Sequence, residues 1–542
     1  MMHKTARVSI FLIIGLLIVG LGIFARQFGL DASPGWGKGR IALVALGLIV
    51  ALIPWIIRKR SPASDTIAHT DLFTFPALLI VIGIYFWFIT VSHDATSNYY
   101  SLLATSFRNG EFSLPLKPDP ALLALPNPYD PATRQGIKVP VDLSLYNGKF
   151  YLYWGPAPSM LLAVVQRFLP GRLGEVDLLF LYMCGIFLAQ YLLIMHVWQR
   201  FFLKIPRWIL ILSIFLAGLA NPVLWMLSQP KIYEAAIAGA QFFFIGGFVS
   251  AVLALDRRPA SGWGLALAGA LWALAVGTRT VSLFAVMFMI FMIVYWLFKT
   301  RDGSFLGVLR KLVALGVPLF IGALGFGWYN WARFGSFVET GFTYQLAAPY
   351  LQKHMNELFL PGYILQNLYN YLLNPFTIKQ DFPFFYPIRG RLEELFVGQA
   401  LPQFYTAQAI TGFLYAVPFV VFAIIPIALL MKQFFRRDRV KEPAQNSNML
   451  PLNWIITSLV GSFALPFTSL LAFFWAAMRY AEDFMPALIL LSIIGFWQGY
   501  QFLFQSPRKG TIYTSLGVTL AGLSIVSAIL LALSIFFSSG LL

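Results

Sequence analysis

Long apolar runs, separated by short polar segments, dominate the chain. They fill about 8–24, 41–57, 72–91, 176–198, 208–227, 236–255, 262–278, 281–298, 309–329, 409–431, 452–472, 484–504 and 512–537. Each approaches the about 20 apolar residues that a helix needs to cross a bilayer. A helix satisfies its own backbone polar groups where no water can do so. The pattern therefore predicts an all-α polytopic membrane protein with about 13 transmembrane helices. His3, Lys4 and Arg7 precede the first run, but no small-x-small site follows closely, so it reads as a signal anchor. The stretch 155–169 offers only about twelve apolar residues between prolines, so it reads as an interfacial or re-entrant helix, with a further span as the alternative.

The runs divide the chain into four parts. Residues 1–71 hold two spans and a basic loop, and 72–330 form a membrane core that includes a first large loop, 92–175. A second large loop follows at 331–408, and 409–542 returns to membrane helices with no terminal soluble domain. Charge then orients the chain. With the N-terminus in the cytoplasm, segments 1–7, 58–71, 199–207, 256–261, 299–308, 432–451 and 505–511 share one side. Together with Arg310 and Lys311 they carry 21 of the 39 Lys+Arg and 6 of the 22 Asp+Glu. This is the positive-inside pattern, and it places both large loops outside the cytoplasm. The expected location is the inner (cytoplasmic) membrane, with the active site extracytoplasmic.

Composition narrows the function. The chain is 59% hydrophobic and 11% charged, against about 25% charged in soluble domains. That argues against a soluble enzyme or a nucleic-acid-binding domain. The lone cysteine, Cys184, rules out an intrachain disulfide and any multi-cysteine metal site. The cytoplasmic loops are short and contain no GxxxxGK[ST] sequence, which argues against an ATP-driven pump.

The unusual polar residues gather near the outer ends of the spans. His93–Asp94 opens the first loop, ahead of a short amphipathic stretch beginning at Tyr99 and Tyr100. Asp94 reads either as an N-cap or as a carboxylate of raised pKa at the membrane edge. Six prolines between 115 and 131 impose an extended path, and Asn147-Gly148 predicts a tight hairpin turn. Asp142, Lys149, Tyr151, Tyr153 and Trp154 flank that turn, a mixture suited to stacking on sugars or resting on headgroups. Lys231 and Glu234 start the sixth run, as an ion pair or as site residues. Arg279, Arg333 and Arg479 lie at a similar depth, with Glu482 and Asp483 beside the last. Arginines there either snorkel to headgroups or grip phosphate oxygens with their forked donors.

In order and side, these elements resemble the C-type superfamily of integral-membrane glycosyltransferases, in the style of protein mannosyltransferases and the aminoarabinose transferase of lipid A. The resemblance rests on Asp94 with Tyr99 and Tyr100, on LLATSFRNGEFSL, KIYEAAIAG and GTRTVSLF, and on RYAEDFMPALILL, within about 72–505. The chain departs from the family in having two additional N-terminal spans, a single carboxylate at His93–Asp94, Arg279 in place of a lysine, and no soluble domain after the last span.

The resemblance implies inverting transfer of a sugar, hexosyl or pentosyl, from a polyprenyl-phosphate donor to a lipid, glycan or protein acceptor outside the cytoplasm. Asp94 would be the general base, and Glu234 would orient a hydroxyl. Arg279, Arg333, Arg479 and Lys231 would hold the departing phosphate. His93, Tyr99, Tyr100, Asp142, Lys149, Tyr153, Trp154, Glu482 and Asp483 would contact acceptor or sugar. Some members use a divalent metal, but His93–Asp94 is the only tight pair of ligands here, so no cofactor is assigned. Three rivals remain. They are a transporter or flippase of an anionic lipid-linked sugar, an O-antigen-ligase-like enzyme and a non-catalytic assembly partner. A transporter more often shows internal repeats and helices broken at the midplane, and no repeat is evident.

The orientation is testable by cysteine accessibility in a Cys184→Ser background. Asn147→Cys should react with an impermeant thiol reagent on intact cells, whereas Ser447→Cys should react only after the membrane is opened.

Overall fold

A computed structural model describes residues 37–58, 65–92, 97–140, 142–168, 173–257, 259–300, 304–347, 349–391, 401–402, 404–436 and 450–538, with Gly15, Ile18, Val19, Leu21 and Gly22. Most of the first apolar run, 8–24, lies outside the described residues. The long helices are α1 (Lys38–Arg58), α2 (Asp65–Val91), α6 (Glu175–Phe201), α7 (Arg207–Leu219), α9 (Ile232–Leu255), α10 (Gly262–Val276), α11 (Ser282–Thr300), α12 (Phe305–Phe334), α15 (Ile424–Arg436), α16 (Leu452–Leu471), α17 (Met485–Leu503) and α18 (Pro507–Ser538). Among the described residues, eight helices are long and apolar enough to cross a membrane. Three shorter apolar helices, Arg207–Leu219, Gly262–Val276 and Pro418–Gln433, stand beside them. The fold is an all-α polytopic membrane bundle.

Two of the expected spans are broken. The run 208–227 ends as helix at Leu219, and the short α8 (Val223–Leu227) follows. Pro222 lacks the N–H that a continuous helix would need. The run 409–431 starts as strand and the short α14 (Phe413–Ala416), tightens into a 3-10 turn at Pro418–Ala423, and only then becomes α15.

α9 and α17 are the central helices, with 78% of the span window of each buried within the protein, against 17% for α12 at the periphery. Small residues let α9 serve as the axis. At Gly247 an added Cβ would lie 2.4 Å from the indole nitrogen of Trp272 on α10, and that indole donates to the carbonyl of Phe244 at 3.1 Å. Close approach through small residues is how helices pack where lipid supplies no hydrophobic drive.

Both large loops fold onto the same end of the bundle. The first carries α3 (Tyr99–Arg108), α4 (Pro120–Leu123), the hairpin β1 (Ser144–Tyr146)–β2 (Lys149–Tyr151) and α5 (Ala157–Phe168). Asn147 and Gly148 turn the hairpin with φ of 47° and 70°, both left-handed as a type I′ turn demands. α5 buries Ala157, Pro158, Ser159 and Leu162 and exposes Val164 and Phe168. That is the one-sided pattern of an interfacial helix. The second loop contributes 3-10 turns, α13 (Ile364–Leu372), β3 (Phe376–Ile378), β4 (Phe385–Arg389), β5 (Thr406–Ala407) and β6 (Ala409–Ile410). Strand order β3-β4-β6 makes a small antiparallel sheet, and β5 pairs parallel with β7 (Trp475–Ala476).

The two loops also bind each other. The amide of Leu346 donates to the Leu143 carbonyl at 2.8 Å, Asn127 to the Tyr350 hydroxyl at 2.6 Å, and Arg134 to the Ala347 carbonyl at 2.5 Å. The first loop is then clamped to the bundle. The amides of Gly155 and Ala157 donate to the carbonyls of Thr278 and Gly277, at 3.2 and 3.1 Å. A Cβ at Gly155 would meet the Gly277 carbonyl oxygen at 2.1 Å, against backbone that cannot step aside.

Gly155→Ala should therefore lower thermal stability by about 1–3 kcal/mol, the usual cost of overpacking. Gly325→Ala, on the open face of α12 with nothing within 4 Å, should be neutral or slightly stabilising. Thermal midpoints of the two variants in one detergent check the contrast.

Candidate functional site

Between the loop lid and the bundle lies a cavity of about 460 Å³. Its charged lining residues are Asp142, Lys231, Glu234 and Arg479, accompanied by the amides Gln229, Gln345 and Gln408. The aromatic lining includes Tyr153, Trp225, Tyr233, Phe342, Trp475 and Tyr480. Residues from the first loop, α8, the start of α9, the second loop and the segment before α17 thus meet at one place.

Asp142 enters from the first loop with φ of 60°, a left-handed conformation that aspartate tolerates better than most residues. The Tyr233 hydroxyl donates to Oδ2, and Gln345 Nε2 donates to Oδ1 at 3.0 Å. Burial raises the Asp142 pKa, and the donors Tyr233 and Gln345 together with the Arg479 and Arg134 charges oppose that rise. Lys231 is the extended N-cap residue of α9 and Glu234 sits in its first turn. A carboxylate is favoured there by the helix dipole.

Arg479 belongs to the 3-10 turn Met478–Asp483. Its guanidinium lies 4.8 Å from the Tyr233 ring centroid and 5.1 Å from that of Tyr480. Its Nη1 donates to Gln408 Oε1 at 2.7 Å. Behind it, Arg279 reaches Asp483 at 3.0 Å and also stands over Tyr480, 5.2 Å from the centroid. The Arg279 and Arg479 side chains therefore flank one tyrosine ring. Glu482 is 0% exposed, and neither of its carboxyl oxygens has a hydrogen-bond partner among the described residues. Burial, and then the neighbouring Asp483, push its pKa up to about 8. Burial raises Asp483 to about 6, held down by Arg279. At neutral pH Glu482 is a buried neutral acid, and the one charge on Asp483 is met by Arg279.

The structure gathers only part of the expected set. Asp142, Tyr153, Lys231, Glu234 and Arg479 line the cavity. Trp154 does not, but its ring packs edge-on against Tyr233 at 5.3 Å. Arg333 is placed elsewhere. It is 5% exposed, donates to the Leu152 carbonyl at 2.6 Å and to Asn330 Oδ1 at 2.8 Å, and covers the Tyr329 ring at 3.9 Å. Its donors are spent on fixing the first loop to α12, so it does not join the other two arginines. Lys149 is exposed at the hairpin tip. Tyr100 is fully buried in the packing of α3, while Tyr99 is half-buried. His93 and Asp94 lie outside the described residues. The helix that follows them starts at Tyr99 with Asn98 as its N-cap residue. The nearest described residue before them, Ser92, donates to the carbonyl of Ser228, next to cavity residue Gln229.

Sequence reasoning missed the three glutamines and Trp475, which carry no local pattern. It also missed Glu175, whose buried carboxylate accepts from the Tyr100 amide at 2.9 Å and so caps α3 from a different helix. Its only sequence signal is an acid at the first position of an apolar run. Among the described residues no group of three or more His, Cys, Asp or Glu could hold a metal ion.

No protein-family model and no curated protein matches the chain. Among solved structures, the apo-form crystal structure of the Archaeoglobus fulgidus oligosaccharyltransferase aligns with a TM-score of 0.43 at 13% identity. The alignment covers 84% of this chain and 55% of that one, so this chain spans little more than half the length of that protein.

Glu482 keeps a proton in the folded chain well above its ordinary pKa of 4.5. The unfolded chain gives that proton up first, so stability falls as pH rises from 4.5 to about 8, then levels off. Glu482→Gln removes the penalty. Thermal midpoints at pH 6 and pH 8 should differ less in the variant than in the wild type; equal slopes would contradict a neutral buried Glu482.

Proposed function

We propose that this chain is a membrane glycosyltransferase that moves a sugar from a polyprenyl-phosphate donor to an acceptor on the side of the large loops, outside the cytoplasm. The observation that carries the reading is the cavity at the lid–bundle boundary, where carboxylates and cations face one another across aromatic walls. A lipid-linked donor can reach such a place from the bilayer, and no nucleotide site is needed. The expected location is the inner membrane.

The reaction asks for three things, and the proposed residues answer each. An acceptor hydroxyl oxygen forms the new bond to the anomeric carbon as the carbon–oxygen bond to phosphate breaks, inverting that centre. The hydroxyl proton passes to a carboxylate, for which Asp94 is proposed, and the bonding pair leaves with the polyprenyl phosphate. Asp142, held by Tyr233 and Gln345, and Glu234 orient hydroxyls of acceptor or sugar. Arg479 and Lys231 lie where they can stabilise negative charge developing on the phosphate, and Arg279 supports Arg479 through the shared Tyr480 ring. The lid formed by the two loops excludes water, which would otherwise compete with the acceptor.

The test is transfer from polyprenyl-phosphate sugars in membranes at matched expression. Asp94→Asn should reduce turnover by about 10²-fold or more, the contribution of a general base. Arg479→Gln should reduce it at subsaturating donor. If Asp94→Asn is silent and Asp142→Asn abolishes transfer, the base is Asp142. An absence of turnover across a broad donor set would overturn the transferase reading.

A further inference from the structure

The charges around the cavity cancel. Asp142 and Glu234 face Lys231 and Arg479, two of each sign, among its lining residues. Asp142 and Arg479 are held by hydrogen bonds and ring contacts. Both oxygens of Asp142 accept hydrogen bonds, from Tyr233 and Gln345. The Arg479 guanidinium lies beside the Tyr233 and Tyr480 rings with Nη1 on Gln408. A charged substituent on the ring, beyond the donor phosphate assigned to Lys231 and Arg479, would therefore enter a partly desolvated site that has no surplus of opposite charge to meet it.

The unmet hydrogen-bonding capacity is mixed. Four buried atoms on lining residues have no hydrogen-bond partner among the described residues. Trp475 Nε1 and Arg479 Nε are donors, and Gln345 Oε1 and Glu234 Oε2 are acceptors. A phosphate or carboxylate can use only the donors, and an ammonium group only the acceptors. A hydroxyl gives one hydrogen bond and takes others, so a ring of hydroxyls uses both kinds. The remaining wall is aromatic, with Tyr153 packed at a tilt on Trp154, 4.0 Å between ring centroids, and with Trp475 and Phe342 nearby. Such faces suit the C–H surface of a sugar ring.

From this we infer that the cavity seats an uncharged sugar ring and discriminates against rings bearing a carboxylate or an amine. The inference deepens the transferase reading and rests on it for the ring's role, although binding itself needs no turnover. The ring belongs either to the donor or to a glycan acceptor, since both present the same hydroxyl chemistry.

The experiment is saturation-transfer NMR on the full chain in lipid nanodiscs at pH 7. The probes are methyl mannopyranoside, methyl glucopyranosiduronate and methyl glucosaminide. The neutral glycoside should bind, and each charged ring should bind at least about tenfold more weakly. Selectivity should then follow the charge of the cavity: Glu234→Gln should improve the uronate relative to the amine, and Lys231→Gln should do the reverse. A charged ring that binds wild type as tightly as the neutral one, or no binding by any of the three, overturns the inference. Adding a short-chain prenyl-phosphate mannose separates the sources. Displacement of the glycoside assigns the seat to the donor sugar, and simultaneous binding assigns it to the acceptor. Because no turnover is read, failed transfer and failed selectivity remain separate results.

Discussion

Asp142 joins three parts of the chain that lie far apart in sequence. It stands on the first loop, accepts from Tyr233 at the start of α9 and accepts from Gln345 on the second loop. Arg479, from the segment before α17, adds a fourth strand of the chain by packing on the same Tyr233 ring. The cavity exists because these contacts hold the lid at a fixed height above the bundle. A half-buried carboxylate with two donors is costly to strip, since losing either donor leaves a charge without part of its compensation. The residues that shape the site are thus also the ones that hold the two loops together.

The backbone does the same work nearby. Gly155 can approach Gly277 and Thr278 because it has no side chain. That contact sets the end of the first loop against the α10–α11 turn that carries Arg279. Arg333 fastens the loop on its other side, at the Leu152 carbonyl. Positioning by backbone carbonyls adds to what Asp142 and its partners do. It also explains why three arginines at one depth divide between site and scaffold.

Much of the membrane architecture was legible in the sequence. Apolar runs of bilayer length, the short apolar stretch at 155–169 and the Asn147-Gly148 turn all follow from local rules of run length and turn chemistry. The breaks at 220–222 and before Pro418 were less legible, because a proline within an apolar run can either kink a helix or end it, and neighbouring helices decide which. In the site, acids and cations at the ends of runs could be named as candidates. The glutamines 229, 345 and 408 could not, because an amide acquires meaning only from the partner it faces. Glu175 was hidden for the same reason: it caps a helix to which it does not belong.

By itself the sequence determined a helical membrane bundle, the gathering of its basic residues in the short connections and the two loops where chemistry could occur. These depend on quantities summed along the chain, namely hydrophobic length and charge. Tertiary structure alone decided which charges meet. It set Arg279 against Asp483, Arg479 between two tyrosines, and Arg333 into the scaffold, and it left Glu482 buried without a hydrogen-bond partner among the described residues. Such pairings depend on distances of a few ångströms between residues hundreds of positions apart, and no local pattern encodes them.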